Sequence, residues 1–446
     1  MSGVEVMSKA EIMQAVKKEG IKFVQMQFTD ILGTVKNVTI PTTKLEKALD
    51  EGVFFDGSSV LGYATIEESD MRLKPDTETF VVIPWLQDNM RTARIVCDVF
   101  DHEGNPFAGD PRAALKRQLE KAKKKGWIFN TAPEYEFFFF KLDDDGMPTT
   151  KPSDSGGYFD LMRDRDDNVR KEIVNYLNSM GFDVEASHHE VAPGQHEIDL
   201  MYTDAMSSAD RVAMMKYVTK NTAHRHGLYA TFMPKPIYGV CGSGMHVHQS
   251  LTTLEGKNVF HDQKGPYKLS KNALYFIGGL LKYAKENCAI LASSVNSYKR
   301  LVIGFEAPVY ISWANRNRSA YIRVPAGRES HTRIELRNPD PAGNPYLQFT
   351  VMLAAGLKGI EDKIEPPEPI EKDIFHMGAE EREALSIESL PENLGQALDS
   401  MRKSELIREA LGEHLFKHFL YVKEKEWDDY KGQVSDWERN VLLPAL

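Results

Sequence analysis

The chain has 446 residues, 42% hydrophobic and 27% charged, with a net charge of -10 at pH 7. That length holds two or three domains with a sizeable core, and the acidic balance argues against nucleic acid or an anionic membrane as the main partner. Three scattered cysteines, Cys97, Cys241 and Cys288, exclude a disulfide framework or a cysteine-bound zinc site. The N-terminal segment carries no basic-then-apolar leader, and no apolar run reaches the ~18 residues of a membrane span, so the expected location is the cytoplasm.

In chain order, Ser8 with Glu11 three positions on predicts a capped amphipathic helix over 8–19. Strands are predicted at 21–28 and 34–40, a short helix from 43, and strands near 79–84 and 93–100. Together they make a small α+β unit, residues 1–107. The turn-rich stretch 101–111 closes it, and Asp110-Pro111 can cap the next helix. Beyond it, helices over 111–125, 168–180, 204–226, 267–287 and 344–362 are interleaved with strands. Those strands alternate polar and apolar residues, which favours an antiparallel or mixed sheet over a doubly wound parallel one. The second unit is therefore 108–446, of α+β class, with Glu365-Pro-Pro-Glu-Pro-Ile as an extended surface segment and a charged helical tail.

Six groups able to hold a divalent metal lie in segments that read as strands. Glu134 and Glu136 sit at i and i+2, on one face of an otherwise apolar strand. Glu190-Val-Ala-Pro-Gly-Gln-His-Glu197 reads as a hairpin; with Pro193-Gly194 at the turn centre, Glu190 would face Glu197. His246 and Glu335 occupy two more alternating segments. A lone Glu-x-Glu is usually a solvated strand face, and a lone histidine is more often structural. Here the conjunction counts: five carboxylates and an imidazole brought together would repel and lose solvation without a cation. Thiol-free, carboxylate-rich coordination suits Mg²⁺ or Mn²⁺.

No Gly-x-x-x-x-Gly-Lys-Ser/Thr loop is present, and no Gly-x-Gly-x-x-Gly joins a strand to a helix. Instead, residues 316–337 carry Arg316, Arg318, Arg323, Arg328, Arg333 and Arg337, a local positive field in an acidic chain. An arginine–carboxylate network is the plain alternative; recognition of carboxylate and phosphate by guanidinium forks is the functional one. Metal on one side and arginine on the other can stabilise a transferring phosphoryl group.

Phe-Asp56-Gly-Ser-Ser, Glu-Glu-Ser-Asp-Met, Pro-Glu134-Tyr-Glu136-Phe, the Glu190–Glu197 segment, Lys235-Pro, Gly-Ser-Gly-Met-His246, Asn296-Ser-Tyr-Lys-Arg300-Leu, Glu306-Ala-Pro, Asn317-Arg318-Ser and Glu335-Leu-Arg337 occur in that order. In this series the chain resembles type I glutamine synthetase, the glutamate–ammonia ligases, over essentially its whole length. The resemblance implies a β-grasp-like N-terminal domain and a catalytic domain with a curved, mainly antiparallel sheet flanked by helices. It also implies a dodecamer of two stacked hexameric rings, with active sites shared between neighbouring subunits.

Carried over by position, one Mg²⁺ or Mn²⁺ would be held by Glu136, Glu190 and Glu197, and a second by Glu134, His246 and Glu335. Arg300 would bind the α-carboxylate of L-glutamate, Arg337 its side-chain carboxylate, and Gly242 would line the pocket. Arg318 and Arg323 would neutralise the phosphates of ATP, with Glu185 and Ser250 also at the ATP site. Asp56 would take a proton from ammonium, and Glu306 would ride on a flap that excludes water. Truncating Glu335 to alanine is expected to spare folding but cripple phosphoryl transfer.

Three positions depart from many relatives. Cys241 stands where an asparagine helps hold glutamate. Thr65 replaces an arginine of feedback-inhibited members, and Ile-Glu388-Ser-Leu-Pro lacks the tyrosine that adenylylated members carry. The chain thus resembles the shorter, non-adenylylated subtype, with 2-oxoglutarate or a PII-type signal protein as candidate controls. A γ-glutamyl–amine ligase is the alternative within the enzyme class; Asp56 and Glu306, suited to ammonium, argue against it. A catalytically silent structural relative is the other alternative, and the intact ligands and arginines argue against that.

Overall fold

The computed structural model describes residues 7–63, 70–315 and 317–446. Near the N-terminus, the helix Lys9–Lys18 begins with the expected capping box, Glu11 N donating to Ser8 Oγ and Ser8 N to Glu11 Oε2. Ile12 and Val16 on its inner face join Val24, Met26, Leu73 and Ile95 in one small core. Strand Phe23–Thr29 lies between Val35–Pro41, antiparallel, and Thr92–Phe100, parallel; Thr92–Phe100 continues to Asp70–Pro75 and then Val53–Asp56. The last two strands were not foreseen. The strand expected over 79–84 is only Val81–Val82, because Asp76 caps a 3₁₀ turn just before it and Pro84 has no N–H to extend the ladder.

A second sheet is built around one long strand, Trp127–Leu142. Met245–Thr253 pairs along one edge of it and Gln195–Leu200 along the other, both antiparallel. Beyond Met245–Thr253 lie Ile334–Leu336 and Ile322–Val324, and beyond Gln195–Leu200 lies Val184–His189. Among the described residues, only Trp313–Asn315 joins in parallel, against Ile322–Val324. The four consecutive phenylalanines of the central strand reflect burial on both faces. Phe137 and Phe139 enter the main core, while Phe138 and Phe140 pack with Ala192 on the other side.

Helices Pro111–Lys124 and Ala205–Arg225 pack on this sheet, and Pro345–Asp362 packs in turn on those helices. The helix expected over 267–287 is instead two, Lys271–Lys282 and Ala284–Leu291. Ser270 caps the first, and Tyr267 before it has φ 55°, which keeps that turn out of the helix. The tail is helical, as expected, through Glu413–Lys431 and Asp436–Val441. Among the described residues, no helix is long and apolar enough to cross a membrane.

The two sheets are locked together by Arg112, which is buried. Its guanidinium reaches Asp76 at 2.7 Å and Asp98 at 2.6 Å on the N-terminal side, and Asp210 at 2.9 Å on the helix Ala205–Arg225. A buried arginine with three carboxylates is well compensated, and removing any one partner would leave charge unpaired. This junction fixes where the first sheet sits relative to the candidate site.

Candidate active site

Strand register brings the predicted ligands together. Glu136 pairs directly with Glu197, His246 with Glu134, and both His248 and Arg323 with Glu335. The hairpin differs from expectation: Glu197 lies opposite His188, not Glu190, because Glu190 N and Gln195 O close a longer loop over 191–194. Glu190 itself lies just past the strand Val184–His189. The slip is two residues, one full side-chain period, so Glu190 and Glu197 keep the same face.

Two groups of three candidate ligands result, each with donor atoms within 4.8 Å of one another. One is Glu134, His246 and Glu335, as predicted. The other is His188, Glu190 and Glu197; His188 was not foreseen, while Glu136 stands beside this group. Glu136 Oε2 accepts from Gln195 Nε2 at 2.9 Å and from Gly244 N at 3.0 Å. The loop that supplies that N–H must be tight: a Cβ on Gly244 would lie 2.6 Å from Arg300 Nη2 and 2.9 Å from His246 Nε2.

The electrostatics fit a cation. Burial, reinforced by neighbouring carboxylates, pushes Glu136 and Glu197 well above the usual carboxylate range, and burial raises Glu190. Burial also opposes ionisation of Glu134, but hydrogen bonds with His246 and His248 outweigh it and hold that carboxyl well below normal. Glu335 is likewise lowered: burial resists, and the charge of Arg337 prevails. Burial and Arg337 depress His246 to about 4, leaving the neutral imidazole that metal coordination requires. Like charges paired across strands, as Glu136 and Glu197 are, destabilise a sheet unless something neutralises them.

A cavity of about 170 Å³ is lined by Glu134, Glu136, Glu190, Glu197 and His246 and also by Arg300, Arg318, Arg323 and Arg337. Arg337 Nη1 donates to Glu335 Oε1 at 2.7 Å, Arg323 Nε donates to Glu335 Oε2, and Arg318 hydrogen-bonds the Tyr158 hydroxyl. Arg300 is buried and oriented by donating to the carbonyls of Asn338 at 2.9 Å and Arg337 at 3.0 Å. Arg328 and Arg333 are engaged elsewhere: Arg328 with Asn315 and main-chain carbonyls, Arg333 with His248 Nδ1 and the His331 carbonyl. Gly242, Glu306 and Cys241 line the cavity. Burial and the charge of Glu306 push the Cys241 thiol up to about 11, so it is neutral.

Ser250 lies on the same face of its strand as His246 and His248. Glu185 occupies the register shift opposite Asp199 and Leu200, close enough for its charge to raise the Asp199 carboxyl, itself pushed to about 7, chiefly by burial. Asp56 is exposed and does not line the cavity of its own chain. Its carboxylate accepts from Ser58 N at 2.9 Å and Ser58 Oγ at 2.7 Å, which keeps it ionised. Thr65 and Arg316 lie outside the described residues. A third cluster, Asp154, His189 and His196, is buried beneath the Glu190 loop. Its groups are engaged with one another and with Arg170.

Sequence comparison agrees with the geometry. The profile "Glutamine synthetase, catalytic domain" matches residues 108–442, and "Glutamine synthetase, beta-Grasp domain" matches 20–102. The chain belongs to the glutamine synthetase family. Similar members include the glutamine synthetases of Methanosarcina mazei, 53% identical over 440 residues and 98% of both chains, and of Thermus thermophilus, 52% identical over 441 residues, 98% of this chain and 99% of that one. Among solved structures, GmaS in complex with ADP superposes with a TM-score of 0.88 at 34% identity, covering 97% of this chain and 99% of that one. GmaS without ligand gives 0.87. Glutamine synthetases form glutamine from glutamate and ammonia, with ATP and divalent metal. The N-terminal β-grasp sheet and the mainly antiparallel catalytic sheet found here are the architecture of that family.

Proposed function

We propose that this chain is an ATP-dependent glutamate–ammonia ligase working in nitrogen assimilation, forming L-glutamine, ADP and phosphate by way of γ-glutamyl phosphate. The observation that carries the reading is a single cavity lined by Glu134, Glu136, Glu190, Glu197 and His246 together with four arginines. Such a site can hold cations and anionic substrates at once. Its functional division is 1–107 and 108–446.

Arg300, its orientation fixed by the carbonyls of Asn338 and Arg337, binds the α-carboxylate of glutamate. Arg337, held by Glu335, faces the side-chain carboxylate, and Gly242 borders the bound amino acid. Arg318 and Arg323 draw charge from the phosphate oxygens of ATP, with Glu185 and Ser250 at the edge of that site. Glutamate oxygen attacks the γ-phosphorus, and the arginines stabilise the transferring group without covalent chemistry. When bound to Glu134, His246 and Glu335 and to Glu136, Glu190 and Glu197, Mg²⁺ or Mn²⁺ supplies further neutralisation of phosphate charge. Asp56 accepts a proton from ammonium, ammonia attacks the acyl phosphate, and Glu306 covers the intermediate.

Because Asp56 does not line the cavity of its own chain, a neighbouring subunit is its proposed recipient, in a dodecamer of two hexameric rings. The proposed location is the cytoplasm. Glutamine formation that requires ATP, ammonium and metal together, and that falls away when methylamine or ethylamine replaces ammonium, is the expected result. Preference for a larger amine would favour a γ-glutamyl–amine ligase instead.

Two further outcomes are expected. Adding Mg²⁺ to the metal-free protein at ~100 times its Kd is expected to raise stability by about 2.7 kcal/mol, as mass action requires of an ion that binds only the folded chain. An unchanged melting temperature would contradict the ligand assignment. Glu388 is exposed and paired with Lys285 at 2.8 Å, so an adenylylating enzyme has no hydroxyl there to modify. Treatment with that enzyme is expected to leave mass and activity unchanged, and with Thr65 uncharged, glutamine is expected to inhibit weakly. Strong inhibition at micromolar glutamine would contradict this. Control by 2-oxoglutarate or a PII-type protein then becomes the direct thing to assay.

A further inference from the structure

Lys235 is a buried cation that does not itself line the cavity. Its Nζ stands 3.7 Å from the centroid of the Phe305 ring and also donates to the Val240 carbonyl. Its main chain is tied to Asn296 in both directions: Lys235 N donates to Asn296 Oδ1 at 2.7 Å, and Asn296 Nδ2 to Lys235 O at 3.0 Å. Asn296 opens the short helix Ser297–Arg300. One residue therefore joins three segments that border the site, those ending in Gly242, Arg300 and Glu306. Among the described residues, no carboxylate forms an ion pair with this ammonium; the Phe305 ring face and the Val240 carbonyl are its partners.

The segment it touches is strained. Glu306 has φ 59°, in the left-handed region that a side chain occupies at a cost, and Gly304 two residues earlier has φ 92°. Such a conformation persists only where neighbours hold it. Here the holders are the Lys235–Phe305 contact and a hydrogen bond from Arg337 Nη2 to the Glu306 carbonyl at 3.4 Å.

We infer that Lys235 is a positioning residue, a cation–π latch that keeps Phe305 and Glu306 over the cavity during the lifetime of the acyl phosphate. The inference rests on the ligase reading above. If the latch opens, water enters. Its oxygen bonds to the γ-acyl carbon, the bond from that carbon to the phosphate oxygen breaks, and phosphate leaves with the electron pair. The water protons pass to solvent, glutamate is regenerated, and ATP is spent without glutamine.

The test measures phosphate and glutamine in the same reaction at saturating substrates. The wild-type chain is expected to release them in equal amounts. Lys235→Met keeps the apolar stem and removes the charge, and Phe305→Leu removes the ring. Each is expected to raise phosphate per glutamine about fivefold, the scale of a cation–π contact whose ring is partly exposed. Lys235→Arg, which keeps the cation, is expected to stay near the wild-type ratio, and the double variant to be no worse than either single one. A purely structural role would slow both products together and leave the ratio alone. That result in Lys235→Met and Phe305→Leu overturns the latch while the ligase reading stands. A wild-type chain that makes no glutamine overturns the ligase reading itself, and the latch with it. Should Lys235→Met fail to fold, Phe305→Leu alone decides, because Phe305 is only half-buried.

Discussion

Glu335→Gln is expected to lower kcat for glutamine formation at least ~100-fold, the scale of losing one preorganised electrostatic contact in a dry site. Glu335 has no exposed surface, and its carboxylate is engaged by three groups. Oε1 accepts from Arg337 at 2.7 Å and stands 3.8 Å from His246 Nδ1, while Oε2 accepts from Arg323. Removing its charge frees two arginines and removes one candidate metal ligand. Glutamine keeps the volume and one acceptor oxygen, so the fold is expected to survive. Alanine does not isolate the chemistry, although sequence alone suggested it would spare folding. It would leave the buried Arg337 without its partner, at a cost of about 4 kcal/mol. Steady-state kinetics beside a thermal melt separates the two effects. Near-normal turnover of Glu335→Gln at saturating Mg²⁺ would rule out its assigned role.

Asp56→Ala is expected to abolish most glutamine formation while leaving ATP and metal binding close to normal. Asp56 is exposed, ionised and held by Ser58 and Ser59, at the end of strand Val53–Asp56 in the N-terminal sheet. A carboxylate so placed contributes little to its own fold, so its loss is expected to cost little stability. If each site takes Asp56 from one subunit and Glu335 from the next, rings co-assembled from Asp56→Ala and Glu335→Gln chains regain intact sites. Each parent is nearly inactive, so even a modest fraction of regenerated sites is readily measured. Mixed rings no more active than the parents would end the shared-site proposal.

Much of this site was legible in period-two patterns. Glu134 and Glu136 on one strand face, and His246 and Glu335 on two others, were placed on their strand faces because alternation survives any register error that is a whole number of two-residue periods. The Glu190 hairpin shows why: the register was wrong by two residues, yet the face was right. The same alternation could have been carried further. His188 is two positions before Glu190, Asp199 two after Glu197, and His248 two after His246, and all three take part in the site's electrostatics. Gln195, two positions before Glu197 on the same strand, carried that signal as well, whereas Tyr158 and the Lys235–Phe305 contact carried none, since loops far apart in sequence bring them in. The strands Val53–Asp56 and Asp70–Pro75 were missed for a related reason: both are short and interspersed with charge, and pairing across the sheet defines them more than propensity does.

The central claim is that glutamate is activated by phosphorylation before ammonia attacks. Supplying glutamate with heavy oxygen in its side-chain carboxylate tests it directly. If γ-glutamyl phosphate forms, one labelled oxygen passes from glutamate into phosphate for each glutamine made, because the bond that breaks lies between the acyl carbon and that oxygen. Phosphate free of label, with glutamine still being formed, would contradict the account.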